Sequence, residues 1–282
     1  MKFIKYHGLG NDYIVINPSE LGRELRVEEI RKICNRNFGV GSDGVLFGPV
    51  EVDPKDAEFG VRIFNPDGSE AEKSGNGLRI FSRYLWDSGL SKKSILRIWT
   101  KGGIVNVAIS KEGRWIEIDM GKVSFDSELI PVVGPHREVI NETINIGGHL
   151  YTYCAATIGN PHCVIVGENV NEELARKIGP IIETHSNFPN RTNVQFLEVI
   201  DRKHIHIEIW ERGAGYTLAS GSSSCAAAAV AHRLGLCDSD VIVKMPGGDL
   251  QIHINTDFTI RMAGPVTRVC QGTVDNEIFI EK

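Results

Sequence analysis

The sequence predicts a chain of two α+β halves that are copies of one another. Its 282 residues are about twice the length of a common domain. Five short motifs recur in the same order at offsets of roughly 144–149 residues. Each half mixes strand-like alternation with a helix-like segment.

The repeats run as follows. Gly10-Asn11-Asp12-Tyr13-Ile14-Val15-Ile16 returns as Gly159-Asn160-Pro161-His162-Cys163-Val164-Ile165-Val166, with Asn11 and Asn160 offset by 149. Glu28–Ile33 returns as Glu172–Ile178 with one residue inserted. Ser74-Gly75-Asn76 opens a segment reaching Gly89-Leu90, and Ser220-Gly221-Ser222 opens one reaching Gly235-Leu236, each 15 residues from Ser to Gly. Gly102-Gly103 before an alternating run is matched by Gly247-Gly248 before another. One such match could arise by chance; five in register indicate a tandem duplication. The expected domains are 1–130 and 131–282, joined near 125–145, where Pro131-Val-Val-Gly-Pro135 suits a linker.

Within each half, Glu58–Phe64 and Lys203–Trp210 alternate as strands, the second with Ile on one face. Leu78–Trp86 and Ala226–Leu234 read as helices, each followed by a Gly suited to the C′ position. The second helix is Ala-rich on all sides, which predicts burial rather than amphipathicity. Two such halves facing each other would leave a cleft, a usual place for a small molecule.

Composition bounds the function. At 41% hydrophobic and 24% charged residues the chain is globular rather than disordered. A formal charge of −5 argues against nucleic-acid binding through bulk positive charge. No apolar run approaches the ~18 residues of a membrane span, and Met1-Lys-Phe-Ile-Lys5 lacks a signal-peptide core. Six scattered cysteines form neither a zinc knuckle nor a disulfide framework. The expectation is a cytoplasmic protein with a small-molecule substrate, no metal, and neither nucleic acid nor membrane as partner.

Two loops can carry chemistry: Asn65–Gly77 and Glu211–Ser223. Each puts a hydroxyl residue and a Gly at a helix start, where unpaired N–H groups and the positive dipole end attract anions. Either Ser alone reads best as an ordinary N-cap; the matched pair, Ser74 and Ser220, points to a site. Asn11 and Asn160 are repeat-related candidates for ligand hydrogen bonds, with Asn65 and Asn193 in similar loops. Glu211-Arg212 reads either as a surface ion pair or as a grip on amino-acid end groups. Gly39-Val-Gly-Ser-Asp-Gly44 matches a dinucleotide-binding pattern in letters only, because an extended run follows it rather than a helix. His204 and His206 share a strand face but lack a third ligand at suitable spacing for a metal.

Taken together, His7-Gly-Leu-Gly-Asn-Asp12, Phe38-Gly-Val-Gly-Ser-Asp43, Asn65-Pro-Asp-Gly-Ser-Glu-Ala-Glu72, Gly75-Asn-Gly-Leu-Arg79, Gly159-Asn-Pro-His162, Arg191-Thr-Asn193 and Glu211-Arg-Gly-Ala-Gly215 resemble the diaminopimelate epimerase family nearly end to end. The resemblance implies two pseudo-symmetric α+β domains, each a mixed sheet around a central helix. It implies a cofactor-independent epimerase, with two-base proton transfer at an amino-acid α-carbon, and a homodimer. By position it assigns the acid/base roles to Ser74 and Ser220. Substrate binding falls on Asn11, Asn65, Gly75, Asn76, Asn160, Asn193, Glu211, Arg212, Gly221 and Ser222, and a supporting role on His162.

The departures fall on the chemistry. Both acid/base positions, cysteine in the family, are serine here, and Tyr216 stands where the family has Glu. A thiol ionises near neutrality far more readily than an alkanol, so serine normally needs an adjacent base. Three readings follow: a trapping variant, a serine-type racemase or isomerase acting on another amino acid, or an amino-acid-binding protein that has lost catalysis.

Overall fold

A computed structural model describes residues 1–53 and 55–280. The chain forms two compact units, one of residues 1–119 with 264–282 and one of residues 120–263. The first comprises β1 (Lys2–Gly8), β2 (Asn11–Ile16), α1 (Pro18–Leu21), α2 (Val27–Cys34), β3 (Val45–Val50), β4 (Phe59–Phe64), the short β5 (Glu70–Ala71), α3 (Gly75–Asp87), β6 (Ile95–Thr100), β7 (Gly103–Ser110) and most of β8 (Trp115–Lys122). Its strands form a mixed sheet: β1–β2 antiparallel, β2–β3 parallel, β3–β4 antiparallel, β4–β6 parallel, then β6–β7 and β7–β8 antiparallel.

The second unit comprises β9 (Glu142–Ile146), β10 (His149–Thr157), β11 (Pro161–Val166), α4 (Glu172–Glu183), β12 (Asn193–Asp201), β13 (His204–Glu211), the short β14 (Gly215–Thr217), α5 (Gly221–Arg233), β15 (Asp240–Met245), β16 (Gly248–Ile254) and most of β17 (Thr259–Pro265). Its pairings repeat the first unit's pattern: β10–β11 antiparallel, β11–β12 parallel, β12–β13 antiparallel, β13–β15 parallel, then β15–β16 and β16–β17 antiparallel. The duplication visible in the motifs is thus a duplication of topology.

The boundary differs from the expected 130/131 division. The last strand, β18 (Thr267–Thr273), pairs antiparallel with β1, as β9 pairs with β10 in the second unit. Each unit's first strand therefore gains a partner, but the first unit takes its partner from the far end of the chain. Pro131–Pro135 lies inside the second unit and links nothing. A strand that pairs across more than 250 residues leaves no local signal in a sequence.

Strand alternation assigns the two faces of each sheet. In the first unit Ile14 and Ile16 pack with Ile30 and Ile33 of α2, while α3 covers the opposite face. In the second, Cys163, Ile165, Val194 and Phe196 pack against Ala175, Ile178 and Ile182 of α4. The other face meets α5, whose Cys225–Ala231 are fully buried, as an all-round apolar helix requires. Both central helices end as predicted, with Gly89 and Gly235 in the left-handed region at φ 73°. No helix among the described residues is long and apolar enough to cross a membrane.

Candidate active site

Ser74 and Ser220 are N-caps of the same shape. Ser74 has φ −140° and ψ 120°, Ser220 φ −144° and ψ 126°, and each precedes a 13-residue helix. Ser74 Oγ accepts the Gly77 N–H at 3.0 Å and Ser220 Oγ accepts the Ser223 N–H at 3.4 Å. A cap uses one acceptor site of the hydroxyl and leaves its proton available, so capping and chemistry are compatible. Ser74 is half-buried and Ser220 buried.

In the first unit a directional hydrogen-bond chain orients two of the expected binding residues. Arg79, fully buried on α3, donates to Asn76 Oδ1 at 2.5 Å. Asn76 Nδ2 donates to Asn11 Oδ1 at 3.1 Å, and Asn11 Nδ2 to Asp43 Oδ2 at 3.0 Å. Arg36 closes the chain by bridging Asp43 and Asp12 at 2.7 Å each, and Lys5 pairs with Asp12 at 2.7 Å. Burial alone would raise the Asp12 carboxyl, but Arg36 and Lys5 hold it at about 2; burial beside Asp12 raises Asp43. With one N–H of each amide donated along the chain, Asn11 and Asn76 each keep a second N–H that can be offered to an anion. Gly75 opens α3 beside them. Asn65 is exposed in the turn before β5, where its amide donates to Ser69 Oγ at 3.0 Å.

In the second unit Asn160 Nδ2 reaches Ser222 Oγ at 3.4 Å, and its Oδ1 meets His162 Nε2 at 3.0 Å. Asn193 Nδ2 donates to Pro161 O at 2.8 Å and its Oδ1 accepts the Arg212 N–H at 3.0 Å. The structure therefore joins Asn160, His162, Asn193, Arg212, Ser222 and, through the helix start, Gly221 in one region. The exposed Arg212 guanidinium donates to Asn190 O at 3.1 Å, and Glu211 ends β13 half-buried. His162 is fully buried, and burial drives its imidazole down to about 3 against a weaker opposing interaction with Gln195. His162 Nδ1 and Gln195 Oε1 both lack a hydrogen-bond partner, while Gln195 Nε2 lies 2.9 Å from Ser223 Oγ. A 180° rotation of the Gln195 amide would exchange its NH₂ and oxygen, letting the oxygen accept from the Ser223 hydroxyl and turning an N–H donor to where Oε1 now lies.

Several residues outside the sequence expectation belong to these networks: Arg36, Gln195, Ser223 and Tyr13. Tyr13 Oη lies 3.2 Å from Ser74 Oγ. A signal for it existed, because at the 149-residue offset Tyr13 occupies the position of His162.

The remaining sequence features resolve structurally. Gly39, Gly41 and Gly44 lead into β3 rather than a helix. A Cβ on Gly39 would sit 1.9 Å from Lys32 O, and one on Gly44 2.6 Å from the Tyr13 ring. His204 and His206 face Asp201 and Glu208. Tyr216 lies on the α4 side of the sheet, with its ring under Arg176 and its hydroxyl donating to Glu208 at 2.7 Å. Its contacts with the α4-side cluster put it on the face opposite α5, so this departure is one of packing. Cys163 and Cys225 are fully buried, and burial pushes the Cys163 thiol well above its usual range.

This duplicated fold is shared with solved epimerases and phenazine-biosynthesis proteins of low sequence identity. Solved structures with the same fold include a hydroxyproline epimerase from Agrobacterium vitis, with TM-score 0.71 at 14% identity over 97% of this chain and 92% of that one. A PhzF-family phenazine biosynthesis protein from Bacillus anthracis aligns with TM-score 0.67 at 18% identity over 96% and 98%. The diaminopimelate epimerase family model matches residues 3–126 and 154–269, and the chain belongs to that family. It is 62% identical to diaminopimelate epimerase 2 of a Nostoc species, over 99% of this chain and 97% of that one. It is 40% identical to the diaminopimelate epimerase of Methanococcus maripaludis, over 98% and 100%.

Proposed function

We propose that the chain is a cofactor-independent isomerase that inverts an α-carbon of diaminopimelate, from the LL to the meso form, with Ser74 and Ser220 as its two acid/base groups. The observation that supports this most is the matched pair of caps: repeat-equivalent hydroxyls with the same backbone conformation at the starts of equivalent central helices.

Two-base inversion needs one group that removes the α-proton and another that returns a proton to the opposite face. Unpaired N–H groups at helix starts such as these suit a carboxylate whose negative charge grows as the proton leaves. Gly75, Asn76, Gly221 and Ser222 supply those starts, and Asn11 adds an N–H donor. Asn65, Asn160, Asn193, Glu211 and Arg212 bind the rest of the amino acid, with Arg212 suited to a carboxylate and Glu211 to an ammonium. Neutral, buried His162 holds Asn160 rather than exchanging protons. Alkanols are poor acids and bases, so turnover is slow beside that of a thiol pair. The family further implies a homodimer in the cytoplasm.

The test is proton NMR of diaminopimelate with the protein in D₂O. Loss of the α-proton signal supports the assignment. Tight binding without exchange identifies a binding protein, and no binding identifies another substrate. Ser74→Cys with Ser220→Cys is expected to speed exchange; a folded, inert double variant would show that more than two atoms separates this chain from a thiol enzyme.

A further inference from the structure

The Ser74 hydroxyl has a second partner beyond its cap. Tyr13, on β2, is 7% exposed and places Oη 3.2 Å from Ser74 Oγ, which also receives the Gly77 N–H. Its ring lies against Gly44, where any Cβ would come within 2.6 Å of Cε1 and 2.5 Å of Phe64 O. The phenol is therefore confined where it can exchange a proton with the serine.

We propose that Tyr13 and Ser74 form a hydroxyl dyad in which Tyr13 carries the proton deficit that an isolated serine cannot. This rests on Ser74 being an acid/base group of the epimerisation.

A phenol ionises near pH 10, many orders of magnitude more readily than an alkanol. In the donating direction, the Ser74 O–H bond breaks as its proton forms the new C–H bond at the substrate carbanion. The Tyr13 O–H proton passes to Ser74 Oγ, leaving a tyrosinate and a neutral serine. In the abstracting direction, the substrate C–H proton moves to Ser74 Oγ, the serine proton moves to the tyrosinate, and the carbanion forms. The serine is neutral before and after both steps, and the Gly77 N–H stabilises alkoxide character as the protons cross. At the same repeat position the second unit carries His162, committed to Asn160 at 3.0 Å, so the dyad belongs to one repeat only.

The experiment is Tyr13→Phe, which keeps the ring, made in the wild-type and Ser74→Cys backgrounds, with folding checked by thermal melting. In the wild-type background kcat should fall about 100-fold or more while KM moves less than about threefold. The limb of the pH–rate profile belonging to the phenol should also disappear. In the Ser74→Cys background, where the thiol ionises unaided, the same change should cost less than about fivefold. Equal losses in both backgrounds, or an unchanged rate and pH profile in Tyr13→Phe, would overturn the dyad while leaving the epimerase assignment standing. Absence of α-proton exchange in wild type and in the double cysteine variant alike would instead refute the epimerase assignment, and the dyad with it.

Discussion

Gly44→Ala tests the local packing on which the Tyr13–Ser74 contact depends. A Cβ there would lie 2.5 Å from Phe64 O, 2.6 Å from Tyr13 Cε1 and 3.1 Å from Tyr13 Cδ1. Phe64 is held by the β3–β4 pairing, opposite Val45, so relief of the Phe64 O contact falls on the backbone at residue 44. The ring must move as well, by on the order of 1 Å to restore a normal carbon–carbon contact of about 3.5–4.0 Å. Overpacking of this kind costs about 1–3 kcal/mol, or roughly 3–10 °C in melting temperature for a protein of this size. It also carries Oη from 3.2 Å beyond hydrogen-bonding distance of Ser74 Oγ. Circular-dichroism melts paired with α-proton exchange in D₂O read both effects. Gly167→Ala is the control: nothing lies within 4 Å of its added Cβ, so it should change stability by less than about 0.5 kcal/mol. A Gly44→Ala variant that melts with wild type and exchanges at full rate would refute the claim that this glycine sets the ring.

Two further predictions concern charge. His162 is buried neutral at about 3, so the folded state resists a proton that the unfolded chain accepts near 6.5. Its contribution is complete above pH 6.5 and is lost as pH falls, by about 2 kcal/mol at pH 5; urea midpoints against pH should show this component, and His162→Gln should remove it. An imidazole NMR titration of His162 near 6.5 would contradict this. Asp12 is held at about 2, so its contribution is present above its ordinary value near 3.8 and lost as pH falls toward 2. Arg36→Gln should shrink that acid limb, cost about 1–2 kcal/mol at neutral pH because Arg36 is itself largely exposed, and raise KM by loosening Asn11. An unaltered acid-unfolding curve would place the Asp12 stabilisation elsewhere.

The two central helices, their caps and their glycine stops were legible because each is written locally. A hydroxyl, a glycine and an apolar run suffice to specify Ser74–Gly89 and Ser220–Gly235. The repeat made the pairing of those caps legible too. The ownership of β18 was not legible, because its pairing with β1 depends on backbone hydrogen bonds that carry little residue identity. Nor was the face of Tyr216, since a three-residue strand has no periodicity to read. The hydrogen-bond chain through Arg79, Asn76, Asn11 and Asp43 joins residues up to 68 positions apart, and only the fold brings them into line.

The duplication also separates what the fold needs from what the reaction needs. Both copies keep the serine cap, the mixed strand order and the central helix, because each unit must cap and cover that helix to exist. They differ at the strand position facing the helix start. Tyr13 reaches the serine, whereas His162 turns to Asn160 and packs beside Gln195. A purely structural pair of hydroxyl caps would require nothing particular at that position beyond volume. A phenol in one copy and an imidazole held neutral in the other are polar, hydrogen-bonded and costly to bury, so packing alone does not account for them. Under the proposed dyad the two serines have unequal roles: proton transfer through Ser74 draws on a second ionisable group, and transfer through Ser220 depends on its helix terminus. Isotope incorporation measured from each stereoisomer should therefore be unequal in the two directions, and Tyr13→Phe should change that inequality.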